Sequence, residues 1–120
     1  MERARFRRLV QRALRALPPE VSAALDNVAV IVAREPSAAD LRAGRVGEHG
    51  ELFGLYIGTP LTDRSNYSMA LPDRIVIYQG PIERHFAPAD VPRQIARTVR
   101  HELAHHFGTD DPRLEALGLG

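Results

Sequence analysis

The spacing of hydrophobic residues predicts a helix at the start of the chain. Hydrophobic side chains recur every three or four positions, at Phe6, Val10 and Leu14, so they share one face of a helix. We expect this helix to cover residues 3–17 and to stop before the prolines at 18 and 19, because the residue before a proline avoids helical geometry. The second of these prolines can open a short helix over residues 19–25.

Three hydrophobic runs predict strands in the middle of the chain, at residues 28–32, 52–57 and 74–78. The first run is mostly β-branched, and we expect both of its faces to be buried. The second run is expected to lie at an edge of the sheet. The third is expected to end at Gly80 and Pro81, which are typical of a turn.

The segments between these runs carry turn and cap signals. Ser37 and Asp40 have the spacing of a capping box, which predicts a short helix that Gly44 would end. Residues 59–70 are polar, and we expect a chain reversal at residues 63–66. The sequence contains neither an internal repeat nor a low-complexity linker, so residues 1–120 are predicted to form one domain.

The C-terminal part of the chain predicts a longer helix. Asp90 is a suitable N-cap, Pro92 is tolerated in the first turn, and Gly108 is a suitable end. Helical spacing divides the side chains between them into three faces: a hydrophobic face (Val91, Ile95, Val99, Leu103), a basic face (Arg93, Arg97, Arg100) and a face with His101 and His105. A short final helix is expected over residues 112–117.

Composition narrows the classes of function that the chain can have. Cysteine is absent, which excludes disulfides, thiolate metal sites and cysteine nucleophiles and fits a reducing compartment. No hydrophobic stretch is long enough for a signal peptide or a membrane span. We therefore expect a soluble cytoplasmic protein without a membrane partner.

Positive charge is concentrated near the N-terminus. All 16 basic residues are arginine, and six of them lie within residues 1–15. Such a segment is typical of an organelle transit peptide or a nucleic-acid-binding patch. The hydrophobic stripe on the same segment favours a third interpretation, a docked helix with a solvated basic face, so nucleic acid is not the expected partner.

One motif in the C-terminal helix predicts metal chemistry. Residues 101–105 read HELAH, an HExxH motif. Residues four apart lie on the same side of a helix, so His101 and His105 can bind one zinc ion, and Glu102 can act as the general base for a zinc-activated water. HExxH alone arises by chance often enough to mislead, which makes its continuation important.

The residues after the motif extend it to HExxHxxGxxD. Gly108 can take a backbone conformation that turns the chain back after the helix. That turn could carry Asp111 to the metal as a third ligand, since a carboxylate oxygen is a suitable zinc ligand. Asp110 is the competing choice, or it could cap the final helix or hydrogen-bond a ligand histidine.

The chain resembles the zinc metallopeptidases with a minimal zincin fold, which are small bacterial proteins that carry HExxHxxGxxD near the C-terminus. The resemblance lies in the segments LDNVA (25–29), GLYIGTPL (54–61), LPDRI (71–75), YQGPIE (78–83) and HELAHHFGTDD (101–111). It implies an α+β fold with a small mixed sheet of three to four strands, packed with the N-terminal helix and the HExxH helix. It also implies that His101, His105 and Asp111 are zinc ligands and that Glu102 is the catalytic residue.

Other features limit the kind of peptidase that is expected. A metzincin needs a methionine after its third ligand, but Met1 and Met69 both precede the motif. Only nine residues follow Asp111, so we expect a shallow, open groove, with residues 52–57 as the edge strand that binds peptide and residues 59–70 as its lip. Tyr56, Tyr67 and Tyr78 are candidate oxyanion donors that the sequence does not rank, and structural roles are favoured for the first and last of them.

The remaining histidines are interpreted as structural or surface residues. His106 shares a helix face with hydrophobic residues, which is typical of a core histidine, and neither His49 nor His85 has ligand spacing to a partner.

Two functional hypotheses follow. The first is a hydrolase, a zinc metallopeptidase that cleaves short or unstructured peptides. The second is a non-catalytic, metal-stabilised protein that binds an acidic partner through the arginine-rich helix.

Overall fold

The hydrophobic pattern folds into helices packed on a small mixed sheet in the computed structural model, which describes residues 1–46, 50–58 and 73–108. Over these residues the elements are α1 (Arg3–Arg15), α2 (Pro19–Ala24), β1 (Val28–Ala33), α3 (Ala38–Ala43), β2 (Gly54–Ile57), β3 (Asp73–Tyr78), α4 (Gln79–His85) and α5 (Val91–Phe107). A 3-10 turn, Pro88–Asp90, leads into α5. The predicted α+β class with a small mixed sheet of three to four strands is confirmed, and the described residues contribute three strands.

The sheet has the strand order β1-β3-β2. β1 and β3 are parallel, with Val28 opposite Asp73, whereas β2 and β3 are antiparallel, with Tyr56 opposite Ile75. Among the described residues, β2 therefore forms one edge of the sheet. This confirms the edge position expected for residues 52–57, although the strand itself begins only at Gly54.

Two helices cover one face of the sheet. Phe6 and Val10 of α1 are buried, as is the hydrophobic stripe of α5, and the two helices pack against each other. Full burial of each such side chain stabilises the fold by about 2 kcal/mol. The main core consists of the following residues: Phe6, Val10, Val21, Val32, Ile75, Ile77, Ile82, Val91, Ile95, Val99, Leu103 and Phe107. The docked-helix interpretation of the arginine-rich segment is confirmed.

The expectation that β1 is buried on both faces is wrong. Ala29 and Ile31 are exposed, whereas Val32 on the alternate face is buried. The second face of the sheet carries a smaller cluster of Leu52, Leu55 and Tyr78, against which α3 packs through Leu41. Among the described residues this cluster reaches β1 only at Ala33, which leaves Ala29 and Ile31 on the same face in solvent.

The region after β3 also differs from the prediction. Gly80 and Pro81 do not form a turn but lie in the first turn of α4, which follows β3 directly. Proline is tolerated there because the first turn does not need its backbone N–H. Gly80 donates its N–H to the carbonyl of Arg34, and a Cβ at this position would lie 2.8 Å from that backbone oxygen, so a larger residue would force the two segments apart.

Helix α5 has the three faces that its sequence predicts. Its hydrophobic stripe is buried, Arg93, Arg97 and Arg100 are exposed, and Gly108 follows its last turn with φ 86°. Asp90 lies at the N-cap position, but the side chain makes no capping hydrogen bond, which corrects its predicted role. The reason is that Asp90 has helical backbone angles within the preceding 3-10 turn.

Several predictions lie outside the described residues, namely the reversal at 63–66, the lip at 59–70 and the final helix at 112–117. The first two helices end slightly earlier than expected, at Arg15 and Ala24. Within the part of the chain that is described, no helix has both the length and the hydrophobicity needed to cross a bilayer.

Helix α3 is anchored by the predicted capping box. The Ser37 hydroxyl accepts the backbone N–H of Asp40 at 3.0 Å, and the Asp40 carboxylate accepts the N–H of Ser37 at 3.1 Å. The Ser37 N–H is the main cause of the lowered pKa of Asp40, and the hydroxyl of Tyr78 contributes to it. Because α3 leads into Gly44 and Val46, the box also holds the segment that flanks the candidate site described below.

Asp40→Asn should lower the free energy of unfolding by about 1 kcal/mol at pH 7, because the asparagine side chain is a weaker partner for the Ser37 N–H. The folded pKa of Asp40 lies below its unfolded value, so its stabilisation is complete above the ordinary pKa and is lost as pH falls through the lower, folded one. Urea unfolding of the parent and of the Asp40→Asn variant measures the difference in stability at pH 7. The same measurement below about pH 4, the usual aspartate pKa, should give a smaller difference. Asp26→Asn, at an exposed aspartate, is the control, and an equal effect of both substitutions would exclude the box as the cause.

Candidate metal centre

Helix α5 presents a group of possible metal ligands to solvent. His101 and His105 lie one turn apart with ring centroids separated by 5.2 Å, and the His101 side chain is 71% exposed. The potential ligand atoms of these two histidines and of Glu102 all lie within 4.8 Å of one another. The structure therefore brings together three of the four site residues that the sequence predicts. Asp111, the fourth, and its competitor Asp110 lie outside the described residues.

Glu102 is held differently from the histidines. It is only 7% exposed, and its Oε1 accepts the backbone N–H of Tyr56 at 2.9 Å. Its other oxygen, Oε2, lies 3.8 Å from Nε2 of His101. One carboxylate oxygen is thus engaged with strand β2, while the other faces the histidine pair.

The chemistry of this group fits a zinc ion. Imidazole nitrogens and carboxylate oxygens are both ordinary zinc ligands. His101 and His105 are exposed and close enough to share one ion, whereas Glu102 is buried with Oε1 already in a hydrogen bond. This arrangement suits the histidines as ligands and the glutamate as a neighbouring base. A third ligand would have to come from another residue, which is the role predicted for Asp111.

The hydrogen-bond pattern between β2 and β3 explains why the backbone N–H of Tyr56 can bind Glu102. The N–H of Tyr78 donates to the carbonyl of Phe53, and hydrogen-bonded pairs alternate along an antiparallel ladder. Leu55 therefore bonds to β3 through its backbone, whereas the peptide groups of Gly54 and Tyr56 point away from β3. The Tyr56 N–H reaches Glu102 from this outer edge.

Gly54 allows β2 to lie close to α5. A Cβ at this position would lie 2.6 Å from Cγ2 of Thr98 and 3.2 Å from Cγ of Glu102. The importance of Gly54 was not predicted from the sequence. A signal was present, because a glycine inside a strand often marks the close approach of another element.

A groove runs beside the histidine pair, between α5, β2 and the segment after α3. One part has a volume of about 520 Å³, with Phe53, Phe86 and Thr98 among its lining residues. An adjoining part of about 460 Å³ extends past Tyr56 to His105. Both parts include His101 and Glu102, so the possible metal ligands lie along an extended groove.

The histidines that were interpreted as non-ligands are found in two settings. His106 is 2% exposed and packs in the core, as predicted, with Nδ1 2.9 Å from Oδ2 of Asp73. Its other nitrogen, Nε2, has no hydrogen-bond partner among the described residues. His85 is exposed, as predicted, and lies 3.2 Å from Glu51. His49 lies outside the described residues.

The tyrosines that were considered as oxyanion donors differ in burial and in their contacts. Tyr78 is fully buried, as predicted, and burial is the main cause of its raised pKa. Tyr56 is half-buried, and its hydroxyl donates to Asp73. This hydrogen bond agrees with a structural role for the side chain. Tyr67 lies outside the described residues, so no oxyanion donor is assigned.

Comparison with known proteins gives a family and a related fold. The family model for zincin-like metallopeptidases matches residues 25–120. Among solved structures, a conserved hypothetical protein from Thermo thermophilus has a similar fold, with a TM-score of 0.60 and 22% sequence identity. The similarity covers 98% of this chain and 97% of that one. No curated protein sequence matches the chain.

Gly54→Ala should push β2 away from α5, because the new methyl group would overlap Thr98. We expect the free energy of unfolding to fall by about 1–3 kcal/mol, as is typical of overpacking. Thermal unfolding of the variant measures the effect. Adding Thr98→Ser removes the Cγ2 that the methyl group would meet and should restore part of the loss. No recovery in the double variant would show that another contact limits the approach.

Proposed function

The chain belongs to the zincin-like metallopeptidase family, and from this premise we propose that it is a zinc-dependent peptidase that cleaves short or unstructured peptides. The observation that carries the proposal is the orientation of Glu102. Its Oε1 accepts the N–H of Tyr56, while Oε2 faces the exposed His101 and His105 at the groove. A carboxylate beside two possible zinc ligands can take a proton from a metal-bound water, which supports metal-assisted hydrolysis.

His101, His105 and Asp111 are the residues that we propose to hold the metal. Bound zinc would lower the pKa of a coordinated water to about 7 and polarise the carbonyl of a peptide bond. Both histidines must be neutral to bind, and their exposure on α5 leaves room for a substrate at the open side of the site. The carboxylate of Asp111 would complete three protein ligands, the number typical of catalytic zinc.

Glu102 is proposed to move the proton during hydrolysis. Its Oε2 would accept a proton from the attacking water and later donate it to the leaving amine. The hydrogen bond from Tyr56 keeps Oε1 out of this exchange and limits rotation of the carboxylate. Only one of the two oxygens is therefore presented to the reaction.

The edge strand and the groove support an extended peptide as the substrate. An unstructured segment can pair with a free strand edge and place its side chains in pockets beside it. β2 is an edge strand among the described residues, and the groove runs along it past the histidine pair. The Tyr56 N–H on this edge already binds Glu102, so a peptide would pair with the outward-facing backbone groups of Gly54. Folded proteins rarely offer a free segment of this kind. The resemblance to bacterial proteins and the absence of cysteine lead us to propose a bacterial cytoplasmic enzyme.

The arginine-rich helix supports a second hypothesis, binding of an acidic partner by a protein without catalytic activity. The basic side chains of α1 are exposed, and none of them has an ion pair among the described residues. Binding of this kind would weaken strongly as salt is raised. It does not account for a buried Glu102 beside two exposed histidines, which is why we favour the peptidase.

The untagged protein should contain about one zinc per chain. His101→Ala and His105→Ala should abolish binding or weaken it strongly, because each removes one of two adjacent ligands. His85→Ala, at an exposed histidine outside the group, is the matched control and should retain zinc. Metal content is measured by mass spectrometry after dialysis. Absence of bound metal in the parent protein, even after incubation with zinc, would contradict the proposal.

Asp111→Ala and Asp110→Ala distinguish the two candidates for the third ligand. We expect zinc to be lost in the first variant and kept in the second. The opposite result would move the ligand to Asp110.

Glu102→Gln should abolish peptide cleavage while leaving zinc bound. The glutamine carbonyl can still accept the N–H of Tyr56, but the side chain cannot accept a proton, so turnover should fall by about 10²- to 10⁴-fold. Cleavage of a peptide library, followed by mass spectrometry, measures turnover. Glu35→Gln, at an exposed glutamate on the β1 side of the sheet, is the control. Cleavage at the parental rate by the Glu102 variant would exclude this residue as the base.

A further inference from the structure

A buried polar cluster joins β2, β3 and α5 beside the candidate metal centre. Oδ2 of Asp73 accepts the hydroxyl of Tyr56 and lies 2.9 Å from Nδ1 of His106. The side chains of Asp73 and His106 are only 3% and 2% exposed. The two atoms are within hydrogen-bonding distance, and an imidazole N–H at Nδ1 can donate to the carboxylate oxygen. Three elements that are distant in sequence therefore meet at one oxygen atom.

Tyr56 connects this cluster to Glu102. Its hydroxyl binds Asp73, its ring packs edge-on against His106 with centroids 5.8 Å apart, and its backbone N–H donates to Glu102. The side chain and the backbone of one residue are thus fixed by different partners. With the hydroxyl held by Asp73 and the ring packed on His106, the Tyr56 backbone can shift less, and so can the N–H that holds the Glu102 carboxylate.

Hydrophobic packing would hold β2 against α5 without this cluster. Removing a carboxylate from water costs several kcal/mol, which its partners must offset. Hydrogen bonds to a carboxylate differ from hydrophobic contacts because they depend on direction as well as distance. A cluster built around Asp73 is therefore better suited to fixing the position of Tyr56 than to adding stability.

We propose that Asp73, His106 and the hydroxyl of Tyr56 form a clamp that holds the Tyr56 N–H on Glu102, so that the second carboxylate oxygen stays directed at the histidine pair. The three are positioning residues, because the hydrogen bonds of their side chains act through Glu102. The inference rests on the proposed function only for the catalytic role of Glu102. The clamp itself is tested without enzymatic activity.

Tyr56→Phe removes the clamp hydroxyl and keeps the ring and the backbone N–H. We expect the backbone N–H of residue 56 to exchange with solvent about tenfold faster than in the parent, which corresponds to the loss of about one hydrogen bond. NMR hydrogen exchange on the full chain, with and without zinc, measures this rate. The amide of Ile77, in the central strand, should change less than about twofold. Tyr78→Phe is the matched control, since it removes another buried hydroxyl from a different cluster.

Two substitutions at His106 separate hydrogen bonding from packing. Asparagine keeps an N–H donor near the position of Nδ1, whereas leucine has a similar size and no donor. His106→Leu should therefore accelerate exchange at residue 56, and His106→Asn should restore most of the protection. The asparagine variant loses more packing volume than the leucine variant, so better protection of residue 56 in the asparagine variant would report the donor and not the packing.

Kinetics complete the test. Tyr56→Phe should lower kcat by about tenfold with little change in KM or zinc content, because Glu102 acts in proton transfer and not in substrate binding.

Unchanged hydrogen exchange at residue 56 in the Tyr56→Phe variant would overturn the clamp. Equal acceleration at residue 56 and Ile77 would also overturn it, because it would mean general destabilisation. Faster exchange with unaltered kcat would overturn its role in positioning. A parent protein that binds zinc but cleaves no peptide would refute the proposed function, and the exchange ratios would still decide the clamp.

Discussion

The close contact between helix α5 and strand β2 is the constraint on which the candidate site depends. Gly54 lets the two elements approach, and the Tyr56 N–H then reaches Oε1 of Glu102 at 2.9 Å. A wider separation would leave a buried carboxylate without this partner, which is costly in a protein interior. The fit of Gly54 against α5 and the hydrogen bond of Glu102 therefore both depend on the same short distance between α5 and β2.

Helix α5 serves the core and the candidate site at once because its faces are separated by helical geometry. The stripe that ends at Leu103 is buried against the sheet and α1, which fixes the rotation of the helix about its axis. This rotation leaves His101 and His105 exposed and brings Glu102 to the boundary between core and groove. Core packing thereby orients the residues of the candidate site.

Hydrogen bonds reinforce the surroundings of the site on two sides. The capping box of Ser37 and Asp40 holds α3, which leads into one wall of the groove. The cluster around Asp73 ties the opposite side, where β2 and β3 meet the last turns of α5. Both are directional contacts, so they limit the small displacements that hydrophobic packing alone would permit. A preorganised Glu102 is what the proposed hydrolysis would need.

Local patterns in the sequence were sufficient for the α+β class, the faces of α5, the capping box and the HExxH group, because each depends on neighbouring residues in one helix or strand. They did not reveal the helix after β3 or the exposed face of β1, since both depend on what packs nearby. The hydrogen bond between Tyr56 and Glu102 and the meeting of Tyr56, Asp73 and His106 join residues that are 17 to 46 positions apart. Only the tertiary structure decided these contacts, because sheet pairing and helix packing bring such distant residues within hydrogen-bonding distance.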